Sequence, residues 1–317
     1  MSQQLNRRDF VKTSVMGASM AAVAGVPVLA GGVAAVAEEQ KAIVAKQQVP
    51  AGKVGKLMMG RMLLGGNLLT HYTHSRDLKY VYNLAAHYNT QQKIFETMRI
   101  AEAHGVNAVV IHTAKGVLNW MSEYKKQGGK MQFIVCPTAN IKDDMKDFTQ
   151  ACKECVDAGV DSLYLWGVRS DQLIKRPDLI KKSVEVMRSF DITVGVAAHK
   201  LGVIEVCEQE KIECDFYLKT FHHHNYPSIK LNHDSSWCDE PDKVIEVMSK
   251  VEKPWIAFKI MAAGAIPPKN ALEYAFSNGA DFTVFGMFDY EIDVDTRLMN
   301  EVINMDKVKN RSRKWFG

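Results

Sequence analysis

The chain has 317 residues, 47% of them hydrophobic and 24% charged, with 21 glycines and nine prolines. Such proportions belong to a folded globular chain and exclude a collagen-like, low-complexity or multi-span membrane protein. A formal net charge of +4 is too small for a nucleic-acid-binding face, so no nucleic-acid partner is expected.

The first element in chain order reads as an address. Arg7 and Arg8 precede Phe10, Val11 and Lys12, and a Gly/Ala-rich apolar stretch follows from Ser14, with no charge until Glu38. Ala35-Val36-Ala37 supplies the small residues of an A-x-A cleavage site. The arrangement resembles the twin-arginine (Tat) export signal, with Asn6 where that pattern carries Ser or Thr. The stretch is too weakly hydrophobic for a membrane anchor. The resemblance implies a signal peptide over residues 1–37, the Tat export machinery as a partner, and a periplasmic or otherwise exported mature form with no stable membrane span.

Residues 38–56 read as a linker or N-terminal cap. From 57 to 306 short apolar runs alternate with amphipathic segments. The runs are 58–66, 107–112, 131–136, 161–167, 192–198, 214–220, 254–260 and 281–286. Helices are predicted near 91–104, 116–127, 143–158, after Pro177, 202–210, 241–250, 268–278 and 291–305. The apolar runs are continuous rather than alternating, as in parallel strands buried on both faces. Helix ends repeat one signature: His104-Gly105-Val106-Asn107, Ala158-Gly159-Val160-Asp161 and Asn278-Gly279-Ala280-Asp281. Eight strand–helix units without a Gly-rich phosphate turn fit a (β/α)8 TIM barrel better than an open doubly wound sheet. Residues 307–317 form a basic tail whose Trp315 and Phe316 are expected to dock on the barrel wall. Cys152 and Cys155 form a C-x-x-C pair on a predicted helix; without a second half it reads as buried helix cysteines rather than a zinc site.

In this fold the chemistry collects at the C-terminal strand ends. The first strand leads to Asn67, His71, His74, Arg76 and Asp77, and the second ends in His112. Later ends supply Trp166, His199, Lys219, His222-His223-His224, Lys259 and Asp289. Imidazole is both the commonest metal ligand and the natural acid–base group near neutral pH. His112, His199 and His222 are therefore expected to hold a divalent metal, with Lys219, Lys259 and His199 catalytic. Asn67, Arg76, Asp77, Trp166 and Asp289 are expected to bind substrate.

Three resemblances bear on the chemistry. A histidine from each of two late strands with an Asp after the last is similar in position to the metal set of amidohydrolase barrels, whose first-strand H-x-H is missing here. Lys219 in YLKTFH and Lys259 in AFKIMAAGAI resemble the paired lysines of deoxyribose-phosphate aldolases, which implies a Schiff base on Lys219. IHTAKG (111–116), PWIAFKIMAAGAI and NALEYAFSNGADFTVFGM are similar to stretches of barrels at the periphery of the aldo/keto reductase-like group. His112 replaces that group's catalytic Asp, and its Tyr is absent at the matching place. The expectation is an exported TIM-barrel enzyme acting on a small polar, sugar-like substrate by metal-assisted hydrolase, lyase or isomerase chemistry. The alternatives are an NADP-dependent oxidoreductase, a Schiff-base lyase and a non-catalytic periplasmic binding protein.

Overall fold

The computed structural model describes residues 47–114, 116–229 and 237–317. The expected signal residues Arg7, Arg8, Ala35 and Ala37 lie outside them. The chain enters through a hairpin, β1 (Ala51–Val54) and β2 (Leu57–Gly60), joined by Gly55 and Lys56. Gly55 has φ +55°, the left-handed conformation that a two-residue hairpin turn requires.

Eight parallel strands then close a barrel: β3 (Met62–Gly65), β4 (Ala108–His112), β5 (Gln132–Cys136), β6 (Ser162–Leu165), β7 (Thr193–Ala198), β8 (Phe216–Thr220), β9 (Trp255–Phe258) and β10 (Phe282–Phe285). Closure is through β10, whose Thr283, Val284 and Phe285 lie opposite Met62, Leu63 and Leu64 of β3. The protein is a (β/α)8 barrel. The helices are α1 (Lys79–Tyr88), α2 (Gln91–Ala103), α3 (Val117–Lys126), α4 (Lys146–Asp157), α5 (Gly167–Gln172), α6 (Pro177–Arg188), α7 (Gly202–Gln209), α8 (Pro241–Ser249), α9 (Pro268–Ser277), α10 (Ile292–Ile303) and α11 (Asp306–Lys309). Among the described residues none is long and apolar enough to cross a membrane.

The repeated helix-end signature has a structural reason. Gly105, Gly159 and Gly279 all have positive φ and turn the chain out of α2, α4 and α9. The polar residue that follows caps the neighbouring strand: Asp161 accepts from the Phe133 N–H at 2.8 Å, and Asp281 from the Trp255 N–H at 2.9 Å. Asp215 does the same for Val194 at 2.7 Å.

Strand residues alternate between two apolar layers. Leu63, Val110, Ile134, Tyr164, Ala197, Leu218, Ile256 and Phe282 fill the lumen, whereas Leu64, Val109, Val135, Leu163, Val196, Tyr217, Trp255 and Phe285 pack against the helices. The hairpin completes the lumen from its N-terminal end with Val54 and Met59, both fully buried. It is fastened there by the Lys56 N–H to Thr193 Oγ1 (2.9 Å) and Lys56 Nζ to Asp191. The apolar run 58–66 is therefore two strands: it breaks at Arg61, whose guanidinium turns to the carbonyls of Asp281 and Gly317.

The basic tail closes the same end. Asp281, with no exposure, takes Arg311 at 2.7 Å on one oxygen and Arg313 at 2.6 Å on the other. Trp315 lies under the guanidinium groups of Arg61 and Arg311. Removing one member of such a buried ionic set is costly, because the other charges stay buried and uncompensated.

Candidate active site at the barrel mouth

The opposite, C-terminal end of the barrel is polar. Alternation along each strand decides which side chains enter the lumen there. His112 shares the face of Ala108 and Val110, and Cys136 that of Ile134. His199 continues the face of Gly195 and Ala197, and Thr220 that of Phe216 and Leu218; these are all lumen positions. Trp166 and Phe258, half-buried, wall the same space, and Tyr164 with Cys136 forms its floor.

His199 is the most elaborately held of these groups. The six-residue α5, which sequence did not predict, is anchored by the Ser170 hydroxyl to the carbonyls of Gly167 and Ala197. The next residue, Asp171, then receives three donors. His199 Nδ1 donates to Oδ2 at 2.7 Å, while Oδ1 accepts the N–H groups of His199 (3.1 Å) and Lys200 (2.9 Å). A carboxylate only accepts, so the imidazole proton sits on Nδ1 and Nε2 is left as the basic nitrogen. Burial pushes the His199 pKa down, the Asp171 hydrogen bond pulls it up, and Lys259 and Lys219 lower it again; the net shift is downward. Gly167 makes room for the ring: a Cβ there would lie 3.0 Å from His199 Cε1.

Two other mouth groups are buried without a partner, His112 Nε2 and Thr220 Oγ1. Tyr72, from the loop after β3, meets the His112 ring edge-on at 4.7 Å. Burial first, then His74, lowers the His112 pKa, which keeps the ring neutral. A buried polar atom left unbonded is costly, so these two positions suit a bound polar molecule.

The remaining expected site residues divide sharply. His222 is fully buried with both ring nitrogens used: Nδ1 meets the His223 carbonyl at 3.0 Å and Nε2 accepts the Cys238 N–H at 3.1 Å. Burial lowers its pKa to about 4. The expected three-histidine metal set is therefore not assembled. Among the described residues no three His, Cys, Asp or Glu side chains converge to hold a metal.

Lys219 also departs from expectation. It shares the helix-facing side of β8 with Tyr217, not the lumen side, and is only 1% exposed. Lys259, half-buried just past β9 with φ +59°, stands close enough to His199 to depress its pKa. Trp166 is at the mouth, with Arg169 5.8 Å over its ring. Arg76, also with positive φ, reaches the neighbourhood of Tyr226. Asn67 and Asp77 are exposed on the loop after β3. Asp289 is committed elsewhere, to Tyr88 Oη at 2.7 Å and Lys93 Nζ at 3.1 Å. All six cysteines are buried free thiols, including the Cys152/Cys155 pair in α4.

Sequence reading missed Asp171, Thr220 and Tyr164 as members of the mouth. Thr220 follows from counting strand parity. Asp171 carried no signal, because its role depends on the short α5.

No family profile matches the chain, and no curated protein is similar to it in sequence. Solved structures of the same fold include a protein of Pseudomonas aeruginosa assigned as an aldo-keto reductase (TM-score 0.59, 11% identity, covering 84% of this chain and 100% of that one). An aldo/keto reductase from Brucella melitensis is similar at TM-score 0.52 and 10% identity, over 83% of this chain and 98% of that one. At these identities the likeness is one of fold, and function does not follow from fold.

Proposed function

We propose that the barrel mouth is an acid–base site acting on a small polar, sugar-like molecule that carries a carbonyl beside a hydroxyl-bearing carbon. The chemistry is lyase or isomerase in kind. The observation that carries this reading is the His199–Asp171 pair, with Nδ1 fixed at 2.7 Å and Nε2 on a lumen-facing residue. In the proposed step Nε2 removes a proton from substrate, and the imidazolium so formed is stabilised by Asp171. His112 and Thr220 hydrogen-bond the substrate's oxygens, and Lys259 supplies positive charge where an oxyanion develops. The expected metal is not needed for this step. We also propose that the protein works after export, a reading that rests on Arg7-Arg8 and Ala35-Val36-Ala37.

The test is a panel of aldoses, ketoses and 2-hydroxy carbonyl compounds in heavy water, followed by NMR for exchange, isomerisation or cleavage. At least one compound should turn over. His199→Ala and Asp171→Asn should each lower the rate by about 10²-fold or more, the usual weight of a general base. Saturable binding of panel members without turnover would replace the enzyme reading by a binding protein. NADPH-dependent reduction insensitive to His199→Ala would replace it by a reductase.

A further inference from the structure

Resting on the reading of His199 as the base, we propose that Lys219 is a positioning residue: its Nζ ties together the carbonyl ends of β7 and β8 and so fixes how His199 and Thr220 face the lumen. Its Nζ donates to the His199 carbonyl at 2.7 Å and to the Thr220 carbonyl at 2.9 Å. These two residues are the lumen-facing ones at the ends of adjacent strands, and one is the proposed base while the other carries an orphaned hydroxyl.

The geometry gives Lys219 this part for three reasons. Its neighbour across the ladder is Ala198, the last residue of β7, so the His199 carbonyl lies just beyond the paired region. The Lys219 side chain, on the helix-facing side of β8, spans that gap. Second, no carboxylate pairs with Lys219 among the described residues; Asp171 and Asp239 act on it only through space. Its hydrogen bonds are thus spent on backbone. A buried amino group is tolerated only when its N–H groups are bonded, so losing one carbonyl would unsettle the other. Third, burial and opposite strand parity withdraw Nζ from the lumen face that His112, Thr220 and His199 share. A nucleophilic amine would need to reach a carbonyl carbon there.

Small displacements of a catalytic group are expensive, with a shift near 1 Å costing on the order of 10²-fold in rate. A tie acting on the main chain of His199 complements Asp171, which acts on its ring and N–H.

Two measurements on the full-length folded protein decide the matter. The first is reductive trapping with cyanoborohydride and glycolaldehyde, read by mass spectrometry at Lys219. No adduct is expected at this position; stoichiometric labelling would overturn the proposal in favour of a nucleophile. The second is the proton NMR signal of the His199 Nδ1–H, assigned by its loss in His199→Gln. Lys219→Met should shift or broaden it, and Lys219→Arg should restore it at least in part. An unshifted signal in folded Lys219→Met would overturn the proposal. If that variant does not fold, Lys219→Gln, which keeps a donor for one carbonyl, is read in the same way. Neither measurement uses turnover, so an enzyme inert on every substrate would sink the reading of His199 as a base without deciding the role of Lys219.

Discussion

Two histidines that the sequence sets at strand ends occupy different electrostatic situations, and each has a measurable consequence. His199 is held below the ordinary histidine range by burial and by Lys259, against the pull of Asp171. The acid limb of its pH–rate profile should accordingly fall below pH 6.5. Removing a cation favours the protonated ring, so Lys259→Met should move that limb upward, whereas Asp171→Asn should move it downward as well as slowing the reaction. An acid limb that ignores both substitutions would remove His199 from the chemistry. For His222 the consequence is stability. Its pKa is about 4 in the fold, against about 6.5 in an unfolded chain. Above the unfolded value both states are neutral and no stability is lost. As pH falls from about 6.5 to about 4 the unfolded state takes up the proton first, so the fold loses stability, on the order of 3 kcal/mol in total. Urea unfolding of the wild type and His222→Gln at pH 7.5 and pH 5 checks this. The advantage of the wild type should shrink at the lower pH; a difference independent of pH would rule the titration out.

At the scale of elements, the sequence was most legible where burial imposed a pattern. The eight strands read as continuous apolar runs because both their faces are covered, and their spacing by helices fixed the barrel. The glycines that end α2, α4 and α9 were legible too, since left-handed turns select them. Two features were not. The run 58–66 concealed the break at Arg61, because the hairpin and the first barrel strand are equally apolar; Gly55-Lys56, between Val54 and Leu57, was the available turn signal. The face that Lys219 takes was not legible, because proximity to a strand end says nothing of which face a residue takes. A shift of one position reverses it, and only Leu218 and Tyr217, one in each apolar layer, settle the matter. The opposite end of the barrel supports a separate prediction. Asp281→Asn leaves Arg311 and Arg313 without their carboxylate and weakens the cap on the Trp255 N–H. It should cost about 3–5 kcal/mol by denaturant unfolding, while the pH–rate profile of any folded fraction keeps its shape. A loss under about 1 kcal/mol would mean that backbone carbonyls alone hold the two guanidinium groups.

The molecule as a whole separates its duties by end. Apolar plug, ion cluster and tail occupy the N-terminal end of the barrel, and the candidate site with His112, His199 and Thr220 occupies the other, the division expected of this fold. That separation bears on the proposed route of export. The twin-arginine route, as the resemblance implies, carries cargo that is already folded, and the barrel's cysteines bear on that proposal. Its six thiols are buried, and burial raises all of their pKa values, to about 12 for Cys136, Cys152, Cys155 and Cys214. Thiols so protonated and enclosed are poor partners for oxidation. A fold completed beforehand would therefore enter an oxidising compartment without forming disulfides. The prediction has two parts. Replacing Arg7 and Arg8 together by Lys should retain the protein in the cytoplasm with an unchanged circular dichroism spectrum. The exported wild type, alkylated after unfolding without reductant, should show six free thiols by mass spectrometry. Undiminished export of the double variant would refute the twin-arginine reading. Disulfides in the exported wild type would show instead that the chain crosses before its core has closed over the cysteines.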